Sequence, residues 1–317
     1  MRRRDVLKGG VGASGLLAAG CQAPASGRMT VILDWLLNAN HAVLIAAQQS
    51  GAFKRAGLEV QLVAPADPDS PSRLVAAGQA DLAVSYGTQI NMITAAGLPL
   101  VRVATLIDRP LNSIAALGDG GVRTLADLKG KTVGISVGGV EEALLDAMLR
   151  SAGVDPKDVT VVKVNYDMVS ALLSHKLDAA IGAFRNAEVL ELQAKGQKPV
   201  VFAPEDHGVP LYDELILVAR NDRRNDPRLK RLVAALGEGA GALAKNPEGM
   251  WRAFAQANPG LATPLNHASW TATISAVPLA PGALNVQRYL DFQAFAVKEG
   301  IIKAAAPIDR FAIQLGT

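Results

Sequence analysis

The chain has 317 residues, of which 50% are hydrophobic and 19% are charged, a composition typical of a folded globular protein and not of a disordered one. Its net charge is +3, and residues 1–20 supply all of it, because four basic residues stand there against one acidic residue. The rest of the chain is neutral, which argues against nucleic acid as a partner. The length suffices for one large or two medium domains.

Residues 1–20 have the pattern of an export signal. They read MRRRDVLKGGVGASGLLAAG, a basic start followed by a short Gly-, Ala- and Leu-rich run that is too short to span a bilayer. The stretch Arg3–Lys8 resembles the twin-arginine export motif, with Val6 where Phe is usual. We therefore expect an exported protein of the periplasm or cell envelope.

Cys21 is the only cysteine of the sequence. The stretch Ala18-Ala19-Gly20-Cys21 resembles a lipobox, which predicts that Cys21 is lipidated and becomes the first residue of the mature protein. The alternative is a plain cleaved signal with an incidental cysteine. The following residues, QAPASGR, are small and polar and predict a flexible tether.

Strand-like and helix-like segments alternate from Met29 onward. We predict strands over 29–35, 58–64, 80–86 and 100–106. The first helix is predicted over 41–53 and stopped by Gly51, and a second follows Ser70 as N-cap with Pro71 in its first position. A third is predicted around 89–97. Such alternation favours an α/β protein with a layered sheet of parallel strands.

The alternation then restarts. Strands are predicted over 112–117, 131–136, 159–165, 177–184, 199–203 and 214–222. Helices are predicted over 124–130, 140–153, 168–176 and 187–196, and in a tail that includes 227–246, 247–258 and 286–300. Two consecutive α/β units with a helical tail predict two lobes in one chain.

Polar residues follow many of these strands. Ligands of open α/β sheets bind beyond the carboxyl ends of the strands. This rule predicts a cleft near Asp34-Trp35, Ser85-Tyr86, Ser136–Gly139, Asn165-Tyr166 and Phe184–Asn186.

Metal and nucleophile motifs are missing from the sequence. The four histidines are widely spaced, so we predict no metal site. There is no G-x-S-x-G and no P-loop, and GISVGGVEE lacks the full dinucleotide spacing, which favours a tight strand-to-helix turn. We expect no cofactor and no catalytic residue.

Two polar stretches combine aromatic rings with hydrogen-bonding groups: LDWLLNANH (33–41) and HGVPLYDEL (207–215). The first can be a turn capped by Asp34 or Asn40, with Trp35 packed under a helix. Alternatively, Trp35 and Tyr212 offer flat faces and Glu214 an acceptor, a set that suits a planar heteroaromatic ligand. Spacing alone does not bring the two stretches together.

With these stretches in place, residues 29–300 resemble the substrate-binding proteins of ABC importers, specifically the branch that binds thiamine pyrimidine precursors of the formylaminopyrimidine or hydroxymethylpyrimidine type. The resemblance lies in LDWLLNANHAVLIAAQQSGAFKRAGLEVQLV, GQADLAVSYGTQI, LKGKTVGISVGG, LDAAIGAFRNAEVLEL and HGVPLYDELILVARND. Importers of sulfonates or nitrate share some of these features, but the combination of LDW…N…H with YDEL is narrower.

The resemblance implies a bilobal type II periplasmic-binding-protein fold with two inter-lobe crossovers, near Asn112–Ala116 and Val209–Glu214. After an export signal (1–20) and a tether (21–28), lobe 1 would comprise 29–113 and 214–317, with the helical tail, and lobe 2 would comprise 114–213. It also implies a monomer that captures a small ligand, delivers it to a membrane permease, and performs no catalysis.

The resemblance implies site residues as well. Trp35 and Tyr212 would sandwich the pyrimidine, and Glu214 would bond its amino edge. Asp34, Asn38 and His41 would line the floor. The rim would include six residues for which a helix cap or surface ion pair is the alternative: Ser85, Tyr86, Asn112, Asn165, Arg185 and Glu188.

Three alternatives stay open. Thiamine pyrimidine synthases resemble the chain around GQADLAVSYGTQINMITAAGLPL, but their cofactor-binding lysine and donor histidine fall on Ser85 and Gln89, and no cysteine follows Cys21. Riboflavin-type binding proteins share the HGVP-x-YDEL stretch. Sulfonate or nitrate binders should offer convergent cations at the strand ends, where only Arg185 qualifies.

Overall fold

The computed structural model describes residues 27–316. The predicted export signal, Cys21 and most of the tether lie outside this range. Within it, the chain forms two five-stranded sheets, each covered by helices. The bilobal α/β fold predicted from the sequence is confirmed. We call the part built on the first sheet lobe 1 and the part built on the second sheet lobe 2.

The strands follow the predicted order along the chain. They are β1 (Arg28–Ile32), β2 (Glu59–Val63), β3 (Leu82–Tyr86), β4 (Leu100–Ile107), β5 (Ile114–Ala116), β6 (Thr132–Ile135), β7 (Thr160–Lys163), β8 (Ala179–Ile181), β9 (Val200–Phe202) and β10 (Leu215–Arg220). The strand order is β2-β1-β3-β10-β4 in lobe 1 and β7-β6-β8-β5-β9 in lobe 2.

The α-helices are α1 (Ala42–Gln49), α2 (Ala52–Arg55), α3 (Pro71–Ala76), α4 (Gly87–Ala95), α5 (Val140–Ser151), α6 (Met168–Leu173), α7 (Glu188–Ala194), α8 (Pro227–Lys245), α9 (Pro247–Ala257), α10 (Pro264–Ile274) and α11 (Val286–Lys298). The first helix ends before Gly51, whose φ of 76° breaks it, as predicted. The segment predicted as a helix over 124–130 is a 3-10 turn (Leu125–Leu128), and α10 had no prediction.

The prediction of parallel strands is wrong for β5 and β10. β1 runs parallel to β2 and β3, but β10 is antiparallel to β3 and β4, and β5 is antiparallel to β8 and β9. The cause is the route of the chain. β1, β3, β6 and β8 end at the cleft between the lobes, whereas β5 and β10 begin there, because the chain passes into lobe 2 at β5 and returns to lobe 1 at β10.

Two segments cross between the lobes, residues 108–113 and 203–214. The carboxylate of Glu214 joins them, since its Oε2 accepts from the backbone N–H of Leu111 at 2.5 Å and of Asn112 at 2.8 Å. The neighbouring Asp213 accepts from Thr105 Oγ1 at 2.7 Å and from the hydroxyl of Tyr289 at 3.0 Å. These bonds fasten the second crossover to the first crossover, to β4 and to α11.

The close packing of two helices in lobe 1, α1 and α8, depends on a glycine. α1 lies against α8, and a Cβ on Gly239 would come within 2.8 Å of the Cα and Cβ of Ala47. Any larger residue would push the two helices apart. The cost of a glycine inside α8 is offset by this close approach.

Candidate functional site

A cavity of about 280 Å³ lies between the lobes. It is formed where strands of both sheets end, with Asp34 after β1, Tyr86 at the end of β3, Ser136 after β6, Tyr166 after β7 and Gly182 after β8. This is the position that the strand-end rule predicts for a ligand.

One wall of the cavity is aromatic. Trp35 from lobe 1 meets Tyr166 from lobe 2 edge to face, with ring centroids 4.5 Å apart and an interplanar angle of 65°. The two rings touch each other, so a ligand ring would lie against them and not between them. Trp35 is only half-buried, which leaves part of its ring accessible.

Asp34 is fixed at the floor by two neighbours. His41 Nε2 lies 2.8 Å from its Oδ1, and the hydroxyl of Tyr86 donates to its Oδ2 at 3.2 Å. His41 Nδ1 accepts from the backbone N–H of Asn38 at 3.2 Å, so the neutral imidazole carries its proton on Nε2 and donates it to Asp34. Burial, and then the charge of Asp34, raise the pKa of Tyr86 well above its usual value. Tyr86 is therefore a hydrogen-bond donor at physiological pH.

The cavity is acidic. Its lining includes the carboxylates Asp34, Glu141, Glu188 and Glu191, and none of the described residues that line it is Lys, Arg or His. Burial raises the pKa of Glu141 to about 8 and that of Glu188 to about 7. Such a site can donate or accept hydrogen bonds at an amino-heterocycle, and it lacks a counter-charge for an anion.

The structure brings five of the twelve predicted ligand-binding residues to this cavity: Asp34, Trp35, Asn38, Tyr86 and Glu188. The other seven do not line it: His41, Ser85, Asn112, Asn165, Arg185, Tyr212 and Glu214. Of these, His41 acts on the cavity indirectly, through Asp34.

The predicted clamp of Trp35 with Tyr212 needs correction. Tyr212 is buried and does not line the cavity, and its ring packs edge to face on Phe292, with ring centroids 5.9 Å apart. Glu214 is turned into the crossovers, as described above. Tyr212 and Glu214 lie in the second crossover, directly before β10. Their side chains therefore stabilise the connection between the lobes, and the aromatic wall of the cavity consists of Trp35 and Tyr166.

Four weaker predictions also take other places. Ser85 Oγ donates to Gln89 at 2.9 Å, and Asn165 is exposed, with its carbonyl accepting from Ser136. Arg185 pairs with Glu205 at 2.7 Å. Asn112 lies behind the cavity wall, where its Oδ1 accepts from the backbone N–H of Gly182 at 2.9 Å.

The site prediction did not name Glu141, Tyr166 and Glu191, which line the cavity with side chains able to bond or stack on a ligand. Tyr166 belongs to a marked strand end, so the strand-end rule had pointed to it. Glu141 lies in the first turn of α5, where an acidic residue is expected as a helix cap. Its neighbour Glu142 takes that role and accepts from the backbone N–H of Gly139 at 2.8 Å. No local pattern tells the two glutamates apart.

Polar contacts join the lobes around the cavity. Asn186 of lobe 2 donates to Asn40 Oδ1 at 2.7 Å and to Thr273 Oγ1 at 2.6 Å. The hydroxyl of Tyr166 donates to the carbonyl of Pro65 at 3.0 Å. The structure therefore represents a form in which the lobes are in contact.

Asp69 makes a further contact between the lobes. It follows β2 in lobe 1, accepts from the backbone N–H of Gly138 at 2.8 Å, and forms an ion pair with Lys163 at the end of β7. The Lys163 side chain is 40% exposed, which limits the strength of the pair.

We expect Lys163→Met to weaken ligand binding modestly, by up to about fivefold, because a partly exposed ion pair contributes roughly 0.2–1 kcal/mol to the closed form. Calorimetric titration measures the change. The control is Lys157→Met, which replaces an exposed lysine beyond the opposite end of β7. This variant should bind the ligand as tightly as the unmodified protein does. Equal affinities in all three proteins would show that the pair does not contribute to closure.

Comparison with known proteins identifies the family. The model of the family described as "NMT1/THI5 like" matches residues 38–250. The chain belongs to this family.

Its relatives include both binding proteins and enzymes. A Haemophilus influenzae protein named for thiamine biosynthesis is 42% identical over 292 residues, 92% of this chain and 93% of that protein. The formylaminopyrimidine-binding protein of Halalkalibacterium halodurans is 36% identical over 189 residues, 60% of this chain and 57% of that protein. A pyrimidine phosphate synthase of Legionella pneumophila is 27% identical over 251 residues, 78% of this chain and 79% of that protein.

Solved structures agree on the fold. The alkanesulfonate-binding protein of Xanthomonas axonopodis superposes with a TM-score of 0.69 at 17% identity, covering 87% of this chain and 94% of that chain.

Across residues 27–316, no group of His, Cys, Asp and Glu side chains is placed to hold a metal ion. The same residues contain no helix with the length and apolar character needed to cross a membrane.

Proposed function

We propose that the protein is the solute-binding component of an importer and captures a thiamine pyrimidine precursor, of the formylaminopyrimidine or hydroxymethylpyrimidine type, between its lobes. The observation that carries the proposal is the cavity itself, whose lining combines an aromatic wall with several carboxyl groups. An aminopyrimidine presents a flat face for stacking, ring nitrogens that accept, and an amino group that donates.

The ligand-binding residues in this proposal are those that line the cavity. Trp35 and Tyr166 contact the ring face. Asp34, held by His41 and Tyr86, accepts from the amino group. Glu141 and Glu188, whose pKa values are raised, can donate to a ring nitrogen when they are protonated.

Capture without catalysis fits the residues better than synthesis does. Ser85 and Gln89 stand where the resemblance to synthases would place a lysine and a histidine, and the Ser85 hydroxyl bonds to Gln89. Neither side chain can form the imine of a lysine or replace a histidine as nitrogen donor. The relative named as a formylaminopyrimidine-binding protein supports the same choice.

The size and charge of the cavity separate the remaining alternatives. The cavity volume of about 280 Å³ lies just below the roughly 300–1,000 Å³ found for small-molecule sites, which favours a single ring over a flavin. The acidic lining disfavours sulfonates and nitrate.

The proposed role includes export and a membrane partner. We propose a periplasmic or envelope location, a monomer, and delivery of the ligand to an ABC permease. The export signal and lipidation of Cys21 stay predictions, because residues 1–26 lie outside the described part of the chain.

A thermal-shift titration of the purified protein tests the function. A ligand that binds only the folded state raises the melting temperature in proportion to the logarithm of its saturation. We expect shifts with formylaminopyrimidine and hydroxymethylpyrimidine, and none with riboflavin or taurine. A shift with riboflavin alone would reassign the protein to another vitamin, and a shift with taurine alone would reassign it to sulfonates.

A further inference from the structure

Four consecutive backbone N–H groups, those of Ser136 to Gly139, lie at the N-terminal end of α5 beside the cavity. The N-terminal end of a helix commonly binds a phosphate or another anion, because its N–H groups lack partners within the helix. α5 extends over 12 residues, so its dipole adds to this tendency. A ligand with a phosphate group would find donors here if they were free.

All four N–H groups already donate to carboxylates of this chain. Glu141 Oε2 accepts from Ser136 at 2.6 Å and from Val137 at 3.1 Å. Asp69 accepts from Gly138 and Glu142 accepts from Gly139, as described above. The protein therefore fills its own anion-binding position.

Glu141 is the one of these three carboxylates that belongs to the cavity. It is 6% exposed and lines the cavity, whereas Glu142 is exposed on the outer side of α5. The wall opposite makes room for it. A Cβ on Gly182 would lie 2.3 Å from Glu141 Oε1, so only a glycine fits there, and its φ of +92° also favours glycine.

We propose that Glu141 is a specificity-determining residue that excludes phosphorylated and sulfonated ligands by occupying the N–H groups of Ser136 and Val137. The inference rests on the proposed function, in that it specifies which pyrimidines the same site accepts. Hydroxymethylpyrimidine binds, and its phosphate ester does not, because the ester meets no free donor and a wall of carboxyl groups.

Occupancy excludes the anion even when Glu141 is uncharged. Burial raises its pKa to about 8, so the side chain is largely protonated at neutral pH. A carboxylic acid still accepts through its carbonyl oxygen, and both N–H groups stay engaged. The exclusion is therefore expected below and above the pKa.

Glu141→Ala tests the inference, with Glu142→Ala as the matched control. Both remove a carboxylate from the first turn of α5, but only the first frees N–H groups inside the cavity. Calorimetric titration compares hydroxymethylpyrimidine with its phosphate ester. We expect the unmodified protein and Glu142→Ala to prefer the uncharged compound by at least about 100-fold. In Glu141→Ala the preference should shrink by about 10- to 100-fold, since each hydrogen bond to a charged group contributes about 1.5–3 kcal/mol.

Two further variants keep the test decisive. Glu141→Gln retains an accepting oxygen and should keep the exclusion, and Glu141→Ser frees the same N–H groups if the alanine variant does not fold. The inference is overturned if the unmodified protein binds the ester as tightly as the alcohol. It is equally overturned if a folded alanine or serine variant keeps the full preference, or if Glu141→Gln loses it.

Inorganic phosphate separates this inference from the proposed function. Phosphorus NMR line broadening should detect phosphate binding to Glu141→Ala and not to the unmodified protein, whether or not either binds a pyrimidine. If no pyrimidine binds any variant, the proposed function fails, while the phosphate result still decides the role of Glu141. No gain of phosphate binding in the folded variant would overturn that role.

Discussion

The ligand-free protein is expected to lose stability as the pH rises from about 5 to about 8.5. Burial raises the pKa of Glu141 to about 8 and those of Glu188 and Glu214 to about 7, from 4.5 for a free glutamate. Between these values the folded state holds protons that the unfolded state has released. Unfolding therefore releases protons in this window, and stability falls as the pH rises.

Each unit of difference in pKa between the folded and unfolded states contributes about 1.4 kcal/mol to this loss. Carboxylates whose pKa values are lowered, such as Asp178 and Asp226, act below about pH 4 and leave the window unaffected. Their stabilising contribution is present above the pKa of the unfolded state and is lost as the pH falls through the folded value.

Urea unfolding at pH 5.5, 7.0 and 8.5 measures this slope. Glu188→Gln removes one of the three titrating groups, so the free energy of unfolding should depend less steeply on pH in this variant. Glu59→Gln, at an exposed position on β2, is the control and should leave the slope as it is. Stability that stays constant or rises across the window would contradict the buried, proton-holding carboxyls described above.

Trp35→Ala is expected to weaken binding of hydroxymethylpyrimidine by about 100-fold with little change in melting temperature. The ligand loses a stacking partner, worth about 0.5–1.5 kcal/mol beyond the buried area, and much of the apolar burial of its ring face. The folded protein loses little, because Trp35 is half-buried and loses one edge-to-face contact, with Tyr166.

Calorimetric titration gives the affinity and differential scanning calorimetry gives the melting temperature. Trp35→Phe keeps a flat ring and should recover most of the affinity. Tyr212→Leu is the decisive comparison, because it removes the aromatic ring and keeps an apolar side chain against Phe292. We expect it to bind as the unmodified protein does. Strong loss of binding in both Trp35→Ala and a folded Tyr212→Leu would instead support the clamp of Trp35 with Tyr212 that the resemblance implies.

The stretch HGVPLYDEL shows how a motif can be informative and still be misplaced. It marks the family correctly, and the sequence predicts one inter-lobe crossover there. Its carboxylates bond to other parts of the protein and not to the cavity. Asp213 accepts hydrogen bonds from β4 and α11, and Glu214 accepts them from the first crossover. A hinge must be fastened to several elements at once, which requires buried polar side chains as much as a ligand site does.

The sequence by itself determined the α/β class, the order of the strands, and the place of the cavity. These depend on local periodicity and on the rule that strand ends gather at one edge of a sheet, so Asp34, Trp35 and Tyr86 could be named from their positions after β1 and in β3. Only the tertiary structure decided that β5 and β10 run antiparallel, since that follows from the route of the chain between lobes. It also decided that Trp35 meets Tyr166 and not Tyr212, and that Glu141 and not Glu142 faces the cavity. Contacts between segments that are distant in the sequence decide which of two locally similar side chains faces the cavity.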